Sequence, residues 1–114
     1  MLKRLRSACI ALLASSAVLL TSPAFAEMTT VELELNNGTL TPTRLEVPAH
    51  TRVKIVLKNT GNTPAEFEST RLRQEKVLGP GVQSFVVINP LKPGEYEFFD
   101  EFPLPGAKGV IVAK

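Results

Sequence analysis

At 114 residues, 44% hydrophobic and 21% charged, the chain has the size of one small domain, and its composition excludes a disordered, collagenous or multi-span membrane protein. The formal charge is +2, but Lys3, Arg4 and Arg6 supply three of the cations, and residues 27–114 carry ten Lys and Arg against eleven Asp and Glu. That balance offers no basic surface for nucleic acid.

The first segment reads as an export signal. Lys3, Arg4 and Arg6 precede an apolar run from Ala8 to Leu20, and Ala24-Phe25-Ala26 is a small-x-small cleavage site. The expected division is a signal peptide over residues 1–26 and an exported domain over residues 27–114, with no membrane insertion of the mature chain. The apolar run falls short of the roughly 20 residues of a membrane helix. Cys9 lacks the apolar and small neighbours of a lipid-attachment cysteine and leaves with the signal. The mature domain then has no thiol, so its core must suffice without a disulfide.

From Met28 onward the apolar residues recur with period two, interrupted by Pro, Gly and Asn, which is the pattern of short strands. Val31, Leu33 and Leu35 alternate with Glu32, Glu34 and Asn36, and Asn37-Gly38 signals a tight hairpin turn. Leu45 and Val47 form a short strand closed by Pro48-Ala49. Val53, Ile55 and Leu57 alternate with Arg52, Lys54 and Lys58 up to Asn59-Thr60-Gly61-Asn62. Residues from Ser69 to Lys76 fit either a helical turn or an exposed strand. Val82 to Ile88 reads as a strand after Gly79-Pro80-Gly81, and Leu91-Lys92-Pro93-Gly94 suits a type II turn. Tyr96 and Phe98 share one face of the next strand, opposite Glu95, Glu97 and Phe99, and Lys108 to Ala113 forms the last. This spacing predicts an all-β antiparallel Greek-key sandwich with Phe67, Phe85, Tyr96 and Phe98 as its large core side chains.

No Ser/His/Asp set or phosphate-binding Gly loop is present, which argues against hydrolase chemistry. The single histidine, His50, falls in a surface turn one strand length from the loop after Asn59. The polar residues that converge are carboxylates. With Phe67 inward, Glu66 and Glu68 point outward together, and Asp100-Glu101 ends the Tyr96 strand. Such a cluster is costly unless neutralised, either by a metal ion or by Lys76, Lys108, Arg71 or Arg73.

Pro93-Gly94-Glu95-Tyr96-Glu97-Phe98-Phe99-Asp100, followed by Ala107-Lys108-Gly109-Val110-Ile111-Val112, is similar to the copper-binding end of cupredoxins, and Asn59-Thr60-Gly61-Asn62-Thr63-Pro64-Ala65 resembles the loop that delivers their first copper histidine. The resemblance places Ala65 or Glu66 in the histidine slot, Asp100 in the thiolate slot and Ala107 in the methionine slot, so a type 1 copper centre has none of its donors. Pro64-Ala65-Glu66-Phe67-Glu68-Ser69, with Leu72, Glu75-Lys76-Val77 and Phe98-Phe99-Asp100-Glu101-Phe102, resembles the cupredoxin-like domains of the EfeO-type family, periplasmic components of bacterial iron-uptake systems. That resemblance implies an iron or copper ion held by Glu66, Glu68, Asp100 and Glu101, and Glu66 and Asp100 are expected to face one another across the sheet end and share it. Its implied partners are an inner-membrane iron permease and other periplasmic uptake components. Oxygen donors favour iron. An all-carboxylate copper would be a poor electron acceptor, which makes catalytic oxidation of ferrous iron the weaker reading. The alternative is a metal-free sandwich acting as an interaction module, with Phe102, Leu104 and the flanking prolines as its apolar patch.

Cleavage is expected after Ala26. The intact mass of the exported protein checks it, and a species that retains Cys9 would contradict it.

Overall fold

The computed structural model describes residues 28–103 and 106–114, so the signal-peptide reading of residues 1–26 lies outside the described residues. The described residues form nine strands: β1 (Thr29–Asn36), β2 (Thr39–Thr41), β3 (Arg44–Val47), β4 (Val53–Asn59), β5 (Ala65–Ser69), β6 (Gln74–Leu78), β7 (Gln83–Ile88), β8 (Gly94–Asp100) and β9 (Ala107–Ala113). They build a sandwich of two sheets, ordered β2-β1-β4-β7 and β3-β9-β8-β5-β6. No helix in the described residues is long and apolar enough to cross a membrane.

The sandwich matches the sequence expectation, but its sheets are mixed where antiparallel ones were expected. β1 runs parallel to β4, and β3 parallel to β9; the other ladders are antiparallel. Parallel neighbours need a crossover. The chain supplies one by leaving the four-stranded sheet after β2, contributing β3 to the other sheet, and returning as β4 beside β1.

Local chemistry explains the turns. Asn37 and Gly38 take φ of 48° and 92°, the doubly left-handed turn that an Asn-Gly hairpin favours, and Asn36 pairs with Thr39 across it. The ambiguous stretch after Ser69 is a hairpin. The buried Ser69 hydroxyl donates to the Glu97 carbonyl at 2.8 Å and accepts the Leu72 N–H, and Arg73, at φ 58°, turns the chain into β6. Gly94 adopts φ 154°, far from the value near 80° of a type II turn, and the Tyr96 hydroxyl holds the preceding segment by donating to the Lys92 carbonyl at 2.7 Å.

The core takes Leu33 and Leu35 from β1, Val53, Ile55 and Leu57 from β4, Phe67 from β5, Val86 and Ile88 from β7, Tyr96 and Phe98 from β8, and Ile111 from β9. Phe67 and Phe98 are fully buried, with ring centroids 5.2 Å apart. Phe85 does not join them. Val86 and Ile88 are the inward residues of β7, so strand parity turns Phe85 to the outer surface at 49% exposure, where the Lys54 ammonium lies 4.5 Å from its ring.

Gly109 pairs with Phe98 across the β8–β9 ladder, and the Phe98 ring covers it. A methyl group there would run into that ring and stand 2.9 Å from the Thr43 carbonyl oxygen. Gly109→Ala is therefore expected to lower stability by about 1–3 kcal/mol, measured by urea denaturation.

Candidate metal site

One end of the sandwich is formed by the β1–β2 turn, the loop from Thr60 to Pro64, and the chain leaving β8. Asn59, the last residue of β4 and 2% exposed, fastens it. Its amide nitrogen donates to the carbonyls of Thr63 (2.9 Å), Leu78 (3.1 Å) and Gly79 (3.0 Å), and its oxygen accepts the Gly61 N–H at 3.0 Å. Two amide hydrogens serve three carbonyls, so one bond is shared, and every polar atom of this buried side chain is satisfied. The hairpin turn closes on the same loop: the Asn37 side-chain oxygen accepts the Asn62 N–H at 2.9 Å and the Thr63 hydroxyl at 3.2 Å. Gly61 permits that approach, because a Cβ at this position would lie 2.7 Å from the Asn37 nitrogen.

From this loop the chain enters β5 with Ala65, Phe67 and Ser69 facing the core. Glu66 and Glu68 consequently emerge on the outer face of the five-stranded sheet. Glu68 pairs with Phe99 of β8, and that register carries Glu66 alongside Glu101, whose N–H donates to a Glu66 carboxylate oxygen at 3.3 Å. Carboxylate oxygens of Glu66, Glu68 and Glu101 all lie within 4.8 Å of one another. Glu66 is 4% exposed, Glu68 half-buried and Glu101 exposed, so the cluster grades from the sheet surface into solvent.

Among the described residues, no Lys or Arg forms an ion pair with it. The ion pairs among the described residues are Arg44–Glu46, Lys58–Glu32 and Lys114–Glu46, all elsewhere. Arg71 instead stacks on Tyr96, 4.2 Å from the ring centroid, and donates to the Glu95 carbonyl. Among the described residues, the salt bridges to Lys76, Lys108, Arg71 or Arg73 are thus not formed. Burial pushes the Glu66 carboxyl up to about 7. The Glu101 N–H opposes this, while the charges of Glu68 and Glu101 and a hydrogen bond with Glu75 add to it. Glu75, opposite Glu68 on β6, stands in the family-like pattern without a ligand role, and the register brings it beside the cluster. Its relevance depends on the β5–β6 register, which no local pattern discloses.

Asp100 is not brought to this cluster. It follows Tyr96 and Phe98 in the strand alternation, is 1% exposed, and accepts the Phe102 N–H at 3.0 Å, closing the turn out of β8. The same alternation that placed Tyr96 and Phe98 inward would have separated Asp100 from Glu66. Ala65 is likewise buried, and Ala107 is partly buried at the start of β9. His50 sits exposed in the turn before β4, held by its N–H to the Leu91 carbonyl at 2.8 Å, a strand length from the carboxylates. The residues present therefore do not fit a type 1 copper centre, whereas the oxygen cluster fits a hard cation.

Comparison with known proteins agrees with this frame. The model of a cupredoxin-like domain matches residues 9–113. An uncharacterized protein of Rickettsia prowazekii is 34% identical over 82 residues, which cover 72% of this chain and 66%, just under two thirds, of that relative. Among solved structures, the dithionite-reduced auracyanin of Roseiflexus castenholzii superposes with a TM-score of 0.64 at 19% identity, covering 75% of this chain and 97% of its own. The Cu(I)-bound metal-binding domain of the copper-exporting P-type ATPase of Streptococcus pneumoniae gives a TM-score of 0.58 at 13% identity, covering 80% and 99%. At such identities these likenesses establish the fold alone.

The raised Glu66 carboxyl sets a pH dependence. Between about pH 4.5 and 7 the folded, metal-free chain holds a proton on Glu66 that the unfolded chain has released. Its contribution to stability is therefore complete below pH 4.5 and falls as pH rises toward 7. Glu66→Gln should abolish that fall, making the variant more stable than the parent above pH 7 by at most roughly 3 kcal/mol. Urea denaturation at pH 5 and pH 8 in chelator checks this; equal pH slopes for parent and variant would contradict it.

Proposed function

The chain belongs to the cupredoxin-like domain family, and we propose that it is a periplasmic metal-handling protein whose cargo is a hard cation, iron before copper, held on the outer face of the five-stranded sheet and delivered to an iron-uptake system. One observation carries the reading: three carboxylates converge within 4.8 Å on the β5–β8 ladder, one of them nearly inaccessible, with no Lys or Arg of the described residues paired to them. Placing a carboxylate where water is scarce is costly unless something positive joins it.

The donor chemistry supports iron. Oxygen ligands suit Fe(III), while copper draws its advantage from nitrogen and sulfur donors that this cluster lacks. Copper enters as the alternative cargo because structures of similar fold include copper proteins. Glu66 supplies the fixed ligand, oriented by the Glu101 N–H, and Glu68 and Glu101 supply the outer ones. An exposed ligand exchanges readily with a receiving protein, which suits a donor to a permease better than an enclosed cage would. Protonation competes with the metal, so affinity falls as pH drops through the range in which Glu66 titrates.

The interaction-module reading keeps one supporting feature. Asn37, Gly38, Thr63, Pro64, Phe102 and Pro103 line an open recess of about 430 Å³, with Phe102 48% exposed. Leu104 and Pro105 lie outside the described residues.

Glu66→Gln, Glu68→Gln and Glu101→Gln are each expected to weaken Fe(III) binding at least tenfold, about 1.4 kcal/mol, by competition titration. Asp100→Asn should leave affinity unchanged, and added Cu(II) should give no intense thiolate charge-transfer band. Metal analysis of protein from its native compartment and ferrous-iron uptake by a deletion strain test the physiological role. Wild-type uptake, together with metal-free protein, would favour the interaction module.

A further inference from the structure

Four strands bound the two sheets: β2 and β7 in one, β3 and β6 in the other. An open edge invites pairing with another chain, and proteins blunt it with short strands, charges or proline. Three of these edges are blunted. β2 has three residues and runs into Pro42, β3 carries the exposed Arg44–Glu46 ion pair, and β6 exposes Glu75 and Lys76. β7 has none of these devices. From Val82 to Ile88 it contains no charge and no proline, and Val82 and Phe85 are 44% and 49% exposed.

The backbone pattern on β7 follows from its register with β4. The Asn59 N–H donates to the Val82 carbonyl at 3.0 Å, and the antiparallel alternation then gives the bonded pairs Leu57–Ser84, Ile55–Val86 and Val53–Ile88. Gln83, Phe85 and Val87 turn their N–H and C=O groups the other way, toward the open edge. The Gln74 side chain occupies the Val87 carbonyl at 3.3 Å. Among the described residues, none donates to or accepts from the N–H and C=O groups of Gln83 and Phe85 on that edge.

We propose that β7 pairs with β7 of a second copy of this chain, antiparallel about a two-fold axis at Ser84. In that register Gln83 of each copy lies opposite Phe85 of the other. Each unpaired N–H then meets an unpaired C=O, and the two sheets join into one of eight strands. The edge is its own complement, with the donor and acceptor spacing the pairing needs, and an isologous contact of this kind closes at two copies. No like charges are brought together along the strands, and Lys54 is drawn back over the Phe85 ring. So short a ladder falls below the about 1,200 Å² of a stable interface, so the dimer forms and dissociates with concentration. The metal site lies on the other sheet, and this pairing does not depend on it.

The test uses protein expressed from the whole sequence, kept in chelator so that no metal bridges copies, and sedimented from about 10 μM to about 1 mM. The weight-average sedimentation coefficient should rise with concentration, and hydrogen exchange at the Gln83 and Phe85 amides should slow in parallel. Phe85→Glu, whose new carboxylate can pair with Lys54, should weaken association at least tenfold without lowering the melting temperature. Gln83→Pro, which removes one outward donor and no bond to β4, should do the same. A parent that stays monomeric throughout, or an association unchanged in either folded variant, would overturn the proposal. If neither variant folds, amide exchange in the parent decides, and protection independent of concentration refutes the pairing.

Discussion

The contact between Phe67 and Phe98 in the middle of the core governs both faces of the five-stranded sheet. Their rings meet at 5.2 Å between centroids, with neither accessible to solvent. Successive residues of a strand alternate sides. Burying Phe67 therefore sends Glu66 and Glu68 outward as a pair, and burying Phe98 keeps Asp100 on the inner side. Gly109 belongs to the same arrangement, since the Phe98 ring occupies the space a side chain there would fill. The carboxylate cluster is thus a consequence of core packing one residue away. Asn59 acts at right angles to this, along the sandwich axis: it ties the end of β4 to the loop that launches β5 and to the end of β6, and so sets where on the sheet Glu66 emerges.

What was legible in the sequence divides by range. The Asn37-Gly38 hairpin, the alternation of β4 and the outward pairing of Glu66 with Glu68 depend on residues within a few positions of one another, and each could be read from the chain. The parallel ladders β1–β4 and β3–β9 join strands separated by others and follow from how the sandwich closes, which no local period encodes. Phe85 is as hydrophobic as the core aromatics, but parity decides its face; Val86 and Ile88 compete for the inner face and win it as a pair. Asp100 and Glu101 are neighbours in sequence and read as one carboxylate group beside Glu66, but alternation with Tyr96 and Phe98 sets Asp100 on the inner face. Glu75 enters through cross-strand register alone.

Two electrostatic regimes coexist on the molecule. The Arg44–Glu46, Lys58–Glu32 and Lys114–Glu46 pairs lie in water, where such contacts are worth little. Glu66 sits where a charge matters more, with two like charges nearby and one N–H to offset them. The protein holds an electrostatic tension at this point that a proton or a cation can relieve, and the choice between them depends on pH.

The separation of Glu66 and Asp100 onto opposite sides of one sheet has an evolutionary consequence. A ligand set inside the sandwich shares its volume with the core, so any change of donor must be accommodated by repacking. Carboxylates on the outer face leave the core packing alone, and substitutions at Glu66, Glu68 and Glu101 would change that face while Phe67 and Phe98 stay as they are. Selection can thus exchange donors at this surface without repacking the core, while Glu66 itself carries a pH-dependent share of the stability.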